Sequence, residues 1–224
     1  MPTPSALASR LTTFCMNALG AGNALDAKLH RVVHGGAAGA LVTWFSDDTP
    51  DLANMSIEDV TSYLFFVENG HYSILCNDGA LIQLSFRINK GKICHHRLAY
   101  IPCPVLFDPI RLVEESLHDV VLEQLFKGDP AVLPQRGVVR FDYDPDAATV
   151  DHPASHLTLN FDQTRIPTAR TFDAATFLTF LDRHFLATRQ SVGRLNQPFS
   201  RDGTIDASDV AFANSPHFFW AESP

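Results

Sequence analysis

Apolar residues recur three or four positions apart in five stretches of the chain, the spacing that places them on one face of a helix. The first stretch begins at Ser5, whose hydroxyl is a suitable helix cap, and the third begins with a capping-box pattern at Ser56. We therefore predict helices over residues 5–19, 24–33, 56–68, 108–127 and 173–188.

Six further stretches are predicted to be strands, and in three of them, residues 80–88, 137–143 and 155–161, alternating side chains are assigned to opposite faces of a sheet. The clearest signal is Asp78-Gly79 between two apolar runs, a sequence that favours a hairpin with a tight turn. Pro102 and Pro104 end the strand that follows, because a proline nitrogen cannot donate to a neighbouring strand. The predicted strands are residues 40–45, 72–76, 80–88, 93–101, 137–143 and 155–161.

These elements predict an α+β fold in which an antiparallel meander of about five or six strands is flanked by helices. Residues 1–50 are interpreted as a helical N-terminal segment packed on a main domain of residues 51–224, so that the chain forms one domain overall. Beyond residue 190 the periodicity fades, and we expect that tail to pack through aromatic side chains at Phe212, Phe218, Phe219 and Trp220.

The charge and the motifs of the chain narrow the classes of partner. Its formal net charge is −8, whereas proteins that wrap duplex DNA are basic, so only a small basic site for nucleic acid remains open. The four cysteines have no CxxC spacing, which excludes a zinc ribbon. The glycine-rich residues 34–39 lack the pattern of a nucleotide-binding loop, so no cofactor is predicted.

Targeting signals are not evident in the sequence. The first ten residues lack the charged and apolar regions of a signal peptide, and no apolar run approaches the roughly 18 residues of a membrane span. We therefore expect a cytoplasmic protein with reduced thiols and no membrane association.

The stretch from Asp151 to Arg165 holds the densest site chemistry in the sequence. It contains two histidines, which titrate near neutral pH, and an arginine, whose guanidinium binds phosphate oxygens in pairs. If the last three predicted strands are neighbours, their polar faces bring further groups to the same side. The predicted catalytic residues are His152, His156, Arg165 and Asp142, and the predicted binding residues are Arg97, His96, Arg140, Thr158 and Asn160.

This mixture suits the binding or cleavage of a phosphodiester, with the histidines moving protons and Asp142 orienting one of them. Four alternatives stay open, and one is a nucleophilic Cys103 between two prolines, for which burial as a small apolar residue is the simpler interpretation. Arg97 and Asp142 can form an internal ion pair with a structural role. His152, His156 and Asp142 can form a three-ligand metal site, although the usual motif is missing and no metal is predicted. His71 and His156 each begin an H-x-[Ser/Thr] motif, similar to the paired motifs of the 2H phosphoesterase superfamily.

Four short motifs follow one another through these strands: HRLAYIPCP from His96, RFDYDP from Arg140, HPASHLTLN from His152 and RIP from Arg165. Together they resemble an uncharacterised bacterial family, number 2290 among the domains of unknown function. The resemblance covers about residues 70–187. It implies a cytoplasmic bacterial protein linked to phage defence or mobile elements, and it brings no established activity.

Two functions of different class follow from these observations. The first is a binding or regulatory subunit of a multi-protein system, with a protein partner or a second copy of the chain and room for a small nucleic-acid or nucleotide ligand. It rests on the acidic charge, the lack of a complete catalytic motif and the implied defence context. The alternative is a phosphodiesterase or ribonuclease that uses the cluster of histidines and arginines.

Overall fold

The computed structural model describes residues 3–45, 60–128, 137–149, 151–160 and 164–186. Within these ranges the helices are α1 (Pro4–Gly20), α2 (Val60–Glu68), α3 (Leu117–Lys127) and α4 (Ala174–Leu181), the last continued by a π-helical turn (Asp182–Leu186). The strands are β1 (Ala24–Ala27), β2 (Arg31–His34), β3 (Ala40–Thr43), β4 (Ile74–Cys76), β5 (Leu81–Asn89), β6 (Lys92–Ile101), β7 (Val139–Tyr143), β8 (Ser155–Leu159) and β9 (Arg165–Pro167).

The strands of the described ranges join in one antiparallel sheet. The main path through the sheet is β1-β4-β5-β6-β7-β8-β9, so β4 to β9 follow one another as a meander. The hairpin of β2 and β3 attaches to β5 on the same edge as β4, but further along that strand. The predicted α+β class and antiparallel meander are confirmed, with nine strands where five or six were expected.

Helices pack on both faces of the sheet. Helices α1 and α4 cover the face that carries Ile82, Leu84 and Phe86 of β5. Helices α2 and α3 cover one end of the opposite face, where they contact Leu81 and Ile101. The predicted placement of these residues on one core face is therefore correct, but the opposite face of β5 is not exposed as expected, since Leu81, Gln83 and Ser85 are also buried. The remainder of the second face is lined by polar side chains. No helix in the described ranges combines the length and apolar character needed to cross a bilayer.

The helix predicted over residues 24–33 is wrong. These residues form β1, which pairs with β4, and β2, which pairs with β3. Pairing with strands more distant in the chain overrides the helical spacing of a few apolar residues. The N-terminal segment is therefore not purely helical, since it contributes strands β1 to β3 to the same sheet as the rest.

Two helix starts also differ from the prediction. Helix α1 is capped by Thr3, whose hydroxyl accepts a hydrogen bond from the backbone N–H of Ala6, so Ser5 lies inside the helix. The long helix predicted from residue 108 is broken at Ser116, which caps α3 by accepting from the N–H of Asp119. The residues before Ser116 form a short 3-10 turn, Pro109–Val113. The predicted cap at Ser56 and the aromatic tail after residue 190 lie outside the described residues.

A buried histidine closes a gap on the edge of β5. Strand β4 pairs with β5 at residues 81–82 and β3 pairs with it at residues 86–88, which leaves Leu84 between them. The Nε2 of His30 lies 3.2 Å from the Leu84 carbonyl oxygen, and the Leu84 N–H donates to the Ser73 hydroxyl at 3.0 Å. Side chains thus replace the missing backbone partners, because a buried peptide group without a partner is costly.

We predict that His30→Ala lowers the free energy of unfolding by about 2–4 kcal/mol, because it leaves the Leu84 carbonyl unpaired and opens a cavity. His34→Ala is the matched control, since His34 is exposed at the end of β2, the strand that follows His30, and we expect a change within about 0.5 kcal/mol. The measurement is urea unfolding at pH 7.5. Equal losses for the two variants would contradict the role assigned to His30.

Candidate functional site

Strand register gathers six polar side chains on the second face of the sheet. Residues two apart in a strand share a face, so every second row of cross-strand neighbours projects to the same side. The first row consists of Arg97, Asp142 and His156, on β6, β7 and β8. The second row consists of Arg140, Thr158 and Arg165, on β7, β8 and β9. We call these six residues the polar patch.

An ion pair forms the centre of the polar patch. The Nε of Arg140 donates to Oδ2 of Asp142 at 2.5 Å, and both side chains are largely buried. Burial by itself would raise the pKa of Asp142, but the charges of Arg140 and Arg97 outweigh it and hold that pKa below its ordinary value. Asp142 is therefore ionised at neutral pH.

His156 lies beside this ion pair and is 1% exposed. Its Nδ1 is 2.8 Å from the carbonyl oxygen of Pro153, which can only accept, so Nδ1 carries the ring hydrogen. Nε2 then faces Oδ2 of Asp142 at 3.7 Å, beyond hydrogen-bond distance. Burial lowers the pKa of His156, against the opposing effect of Asp142. The resting form of His156 is a neutral imidazole.

His152 lies at the edge of the polar patch and is partly exposed. Its ring meets the ring of His156 edge to face, with centroids 4.9 Å apart. Burial and the nearby charge of Arg165 both lower the pKa of His152. The predicted catalytic residues His152, His156, Arg165 and Asp142 are thus brought together on one side of the sheet.

Three residues on β8 and β9 each contribute to the polar patch a buried polar atom with no hydrogen-bond partner in the described structure. These atoms are Nε2 of His156, Oγ1 of Thr158 and Nε of Arg165. A buried polar group left unsatisfied costs about 1–3 kcal/mol. His156 and Thr158 are neighbours on one face of β8, and Arg165 lies opposite Thr158 on β9. One bound molecule can therefore satisfy more than one of these atoms.

Two predicted binding residues do not join the polar patch. His96 projects to the opposite face, where it is 0% exposed and its Nε2 accepts from the backbone N–H of Phe172 at 2.9 Å. Asn160 ends β8 with a φ of 62°, and its N–H donates to the Val138 carbonyl. Asn tolerates this left-handed conformation better than most residues, so Asn160 has a place in the turn.

Neither the three-ligand metal site nor the paired-histidine site of a 2H phosphoesterase agrees with the structure. Among the described residues no three His, Cys, Asp or Glu side chains are grouped as metal ligands would be, and that includes His152, His156 and Asp142. His71 precedes β4, whereas His156 is on β8, four strands away in the sheet. At about 4.8 Å per strand this is roughly 19 Å, too far for both histidines to act on one phosphate.

Sequence analysis missed one pair on the same face. His95 precedes the first row by two residues along β6, and its Nε2 lies 3.7 Å from Oδ2 of Asp144, which follows β7. The parity rule that places Arg97 on this face also places His95 there. The alternation along β6 therefore indicates the face of His95, whereas its contact with Asp144 depends on the pairing of β6 with β7.

Comparison with known proteins assigns the chain to a family without adding an activity. The model of a family described as an uncharacterized conserved protein (DUF2290) matches residues 29–216. This match covers most of the chain, so the chain belongs to that family, and it extends beyond residues 70–187 at both ends. No curated protein and no solved structure matches the chain.

We predict that Thr158→Val leaves the unliganded protein equally stable or more stable by up to about 1 kcal/mol, because it removes a buried hydroxyl without a partner. Thr168→Val is the matched control. The Thr168 hydroxyl is also buried, but it bonds with the Ser155 hydroxyl at 2.7 Å, and its loss should cost about 1–2 kcal/mol. Urea unfolding compares them. A clear loss for Thr158→Val would show that its hydroxyl supports the fold.

We predict that His96→Gln flattens the pH dependence of stability between about pH 6 and 4. Burial lowers the pKa of His96 to about 3, whereas an unfolded histidine titrates near about 6.5. The His96 contribution is therefore complete above about pH 6.5 and declines by up to about 1.4 kcal/mol per pH unit as the unfolded chain takes up a proton.

Unfolding by urea at pH 7, 6, 5 and 4 measures this difference in slope. Glutamine can still accept from the Phe172 N–H but does not titrate in this range. The same replacement at exposed His34 is the control. Parallel profiles for wild type and His96→Gln would contradict the neutral, buried state of His96.

Proposed function

We propose that this protein is a cytoplasmic binding subunit of a multi-protein system, and that its polar patch holds the phosphate group of a nucleotide or short nucleic acid. The observation that carries the proposal is the composition of the patch. Three guanidinium groups, from Arg97, Arg140 and Arg165, share one face with the carboxylate of Asp142, and Asp144 follows β7 on the same side beside His95. Guanidinium groups bind phosphate oxygens through charge-assisted hydrogen bonds.

The position of these charges supports a small site in place of an extended basic surface. The chain as a whole carries a formal charge of −8, which repels long nucleic acids. Within the patch the ion pair with Arg140 neutralises Asp142, and Arg165 adds positive charge beside Thr158. An anion of the size of one phosphate group is favoured there, while a duplex is not.

The state of His156 favours binding over catalysis. A general acid or base works best with a pKa near neutrality and with access to the proton that it moves. Burial lowers the pKa of His156, and its Nδ1–H is used by the Pro153 carbonyl. His156 is therefore suited to receive a hydrogen bond from a ligand more than to drive repeated proton transfer.

Phosphodiester cleavage is the second candidate, and the histidine pair is what favours it. The rings of His152 and His156 are 4.9 Å apart between centroids, and the charge of Arg165 acts on His152. Two histidines beside an arginine are the groups that a ribonuclease-type reaction needs: an acid, a base and a group that stabilises the phosphorane.

Exposed apolar side chains support a protein partner for the subunit. Ile110 and Val113, in the 3-10 turn before α3, are 69% and 78% exposed, and Phe126 at the end of α3 is 84% exposed. Large apolar side chains grouped at the surface are typical of protein interfaces. They lie on the elements that cover the second face, away from α1 and α4.

We predict that Arg165→Gln weakens binding of a 5′-phosphorylated tetra-adenylate RNA by about ten-fold or more, because one charge-assisted contact is worth roughly 1.5–3 kcal/mol. Arg183→Gln is the control, since Arg183 is exposed in the π-helical turn that continues α4, the helix on the opposite face. Fluorescence anisotropy of a 3′-labelled RNA gives the affinities for the full-length protein.

Two results would contradict the proposal. One is the absence of binding by wild type at millimolar RNA, and the other is an equal loss for the two arginine variants. The same mixtures are then analysed for cleavage products. RNA cleavage that disappears in His152→Ala would replace the binding role with the second candidate.

A further inference from the structure

We propose that the polar patch recognises a phosphomonoester, that is a terminal phosphate group, in preference to the phosphodiester of an internal linkage. This inference rests on the proposed function and adds the chemical class of the ligand. It is drawn from the three buried atoms without a partner and from the fixed position of the ring hydrogen on His156.

Two hydrogen-bond donors of the polar patch lack an acceptor in the part of the chain that the structure describes. Thr158 is 3% exposed, and its hydroxyl has no partner among the described residues. The Nε atom of the neighbouring Arg165 is also buried and also has no partner among them. Both atoms donate, and both belong to the second row of the patch. A terminal phosphate presents three unesterified oxygens, whereas a diester presents two. The monoester can therefore accept hydrogen bonds from more donors at once.

The Nε2 atom of His156 lacks a hydrogen-bond donor within the described ranges. His156 Nδ1 donates to the Pro153 carbonyl, so the neutral ring offers a lone pair at Nε2 and needs a ligand that brings a hydrogen. A phosphomonoester has a second pKa near about 6 and can carry that hydrogen on one oxygen. A phosphodiester has no such hydrogen, and Nε2 would stay unsatisfied beside it.

The phosphomonoester can bind in either of two protonation states, and the complex contains the same number of protons in both cases. A monoprotonated phosphate donates its O–H to Nε2, or a dianion binds and Nε2 takes one proton from solvent and then donates to the phosphate oxygen. No bond between heavy atoms is made or broken. Above about pH 7 the free monoester is mostly a dianion, so its binding takes up about one proton per complex.

Several charged groups around His156 determine whether its ring is protonated in the complex. Asp142 favours the protonated ring, and a bound phosphate acts in the same direction. Positive charge and the second histidine oppose it; these groups are Arg97 on β6, Arg140 on β7, Arg165 on β9 and His152 before β8. A dianion tips this balance toward protonation more than a monoanion does.

The experiment compares monoesters with matched ligands that lack a terminal phosphate. Isothermal titration calorimetry of the full-length protein at pH 7.5 uses adenosine 5′-monophosphate and its methyl phosphodiester. A second pair consists of tetra-adenylate RNA with a 5′-phosphate and the same RNA with a 5′-hydroxyl. We expect at least roughly ten-fold tighter binding of the phosphorylated member of a pair.

Buffers of different ionisation enthalpy report the proton. We expect uptake of close to one proton with the monoester and none with the diester. Thr158→Val should lose several-fold of the affinity for the monoester while keeping its stability, and Arg183→Gln should keep both. These variants separate a ligand contact from a contribution to folding.

The outcomes distinguish this inference from the proposed function. Equal binding of both members of each pair, weakened by Arg165→Gln, overturns the inference and leaves phosphate binding intact. Absence of proton uptake with the monoester also overturns it, whereas binding of no ligand overturns both. Tight binding of the mononucleotide supports a free nucleotide as the source. Binding of the 5′-phosphorylated RNA alone supports a strand end, and either result supports the monoester.

Discussion

The antiparallel register of β6 to β9 is the constraint on which the polar patch depends. Side chains alternate between faces, so a slip of one residue in β7 would carry Asp142 into the apolar core and Phe141 onto the patch. Phe141 is fixed on the core side, where its ring lies 4.1 Å from that of Phe172 and contacts the rings of Phe177 and Phe180. Burial of a carboxylate among these rings would cost several kcal/mol, which specifies the register.

The same register places two adjacent histidines on opposite faces of the sheet, with different partners. His95 and His96 are consecutive on β6, yet His95 faces Asp144 on the patch side and His96 is sealed against Phe172 on the core side. His96 contributes a hydrogen bond and apolar contact to the packing of β6 on the chain before α4. A histidine in the middle of a strand thus has its role decided by the parity of its position and not by its residue type.

Much of the fold could be predicted from the sequence because local patterns and the final structure agree over β5 to β8. The alternation of side chains along the strands predicted that one face is shared by Arg97, Asp142, His156 and Thr158. The residues 24–33 could not be predicted in this way, because their strands exist only through pairing with β4 and β3. The sequence carries no local sign of such distant partners.

The details that decide chemistry were also beyond the sequence. Periodicity does not tell which nitrogen of His156 carries hydrogen; the Pro153 carbonyl decides that through a contact made in the fold. Nor does it tell that Leu84 needs His30 and Ser73, because the need arises from a gap between two strands on one edge. Tautomer, burial and missing partners are properties of the assembled sheet.

The contrast between partnered and unpartnered polar atoms argues for a ligand at the polar patch. On the core side the hydroxyls of Ser155 and Thr168 bond to each other and to the Arg170 carbonyl, although Nδ1 of His96 has no hydrogen-bond partner there within the described ranges. Isolated buried atoms without a partner occur elsewhere in the described residues, as at Thr43 and Trp44.

At the polar patch such atoms come from His156, Thr158 and Arg165, which are neighbours on β8 and β9. At about 1–3 kcal/mol each, their cost is a large part of a typical stability of about 5–15 kcal/mol. A site that serves only the fold gains nothing from this cost. A site that binds an anion recovers it on binding, because each of the three atoms then gains a partner.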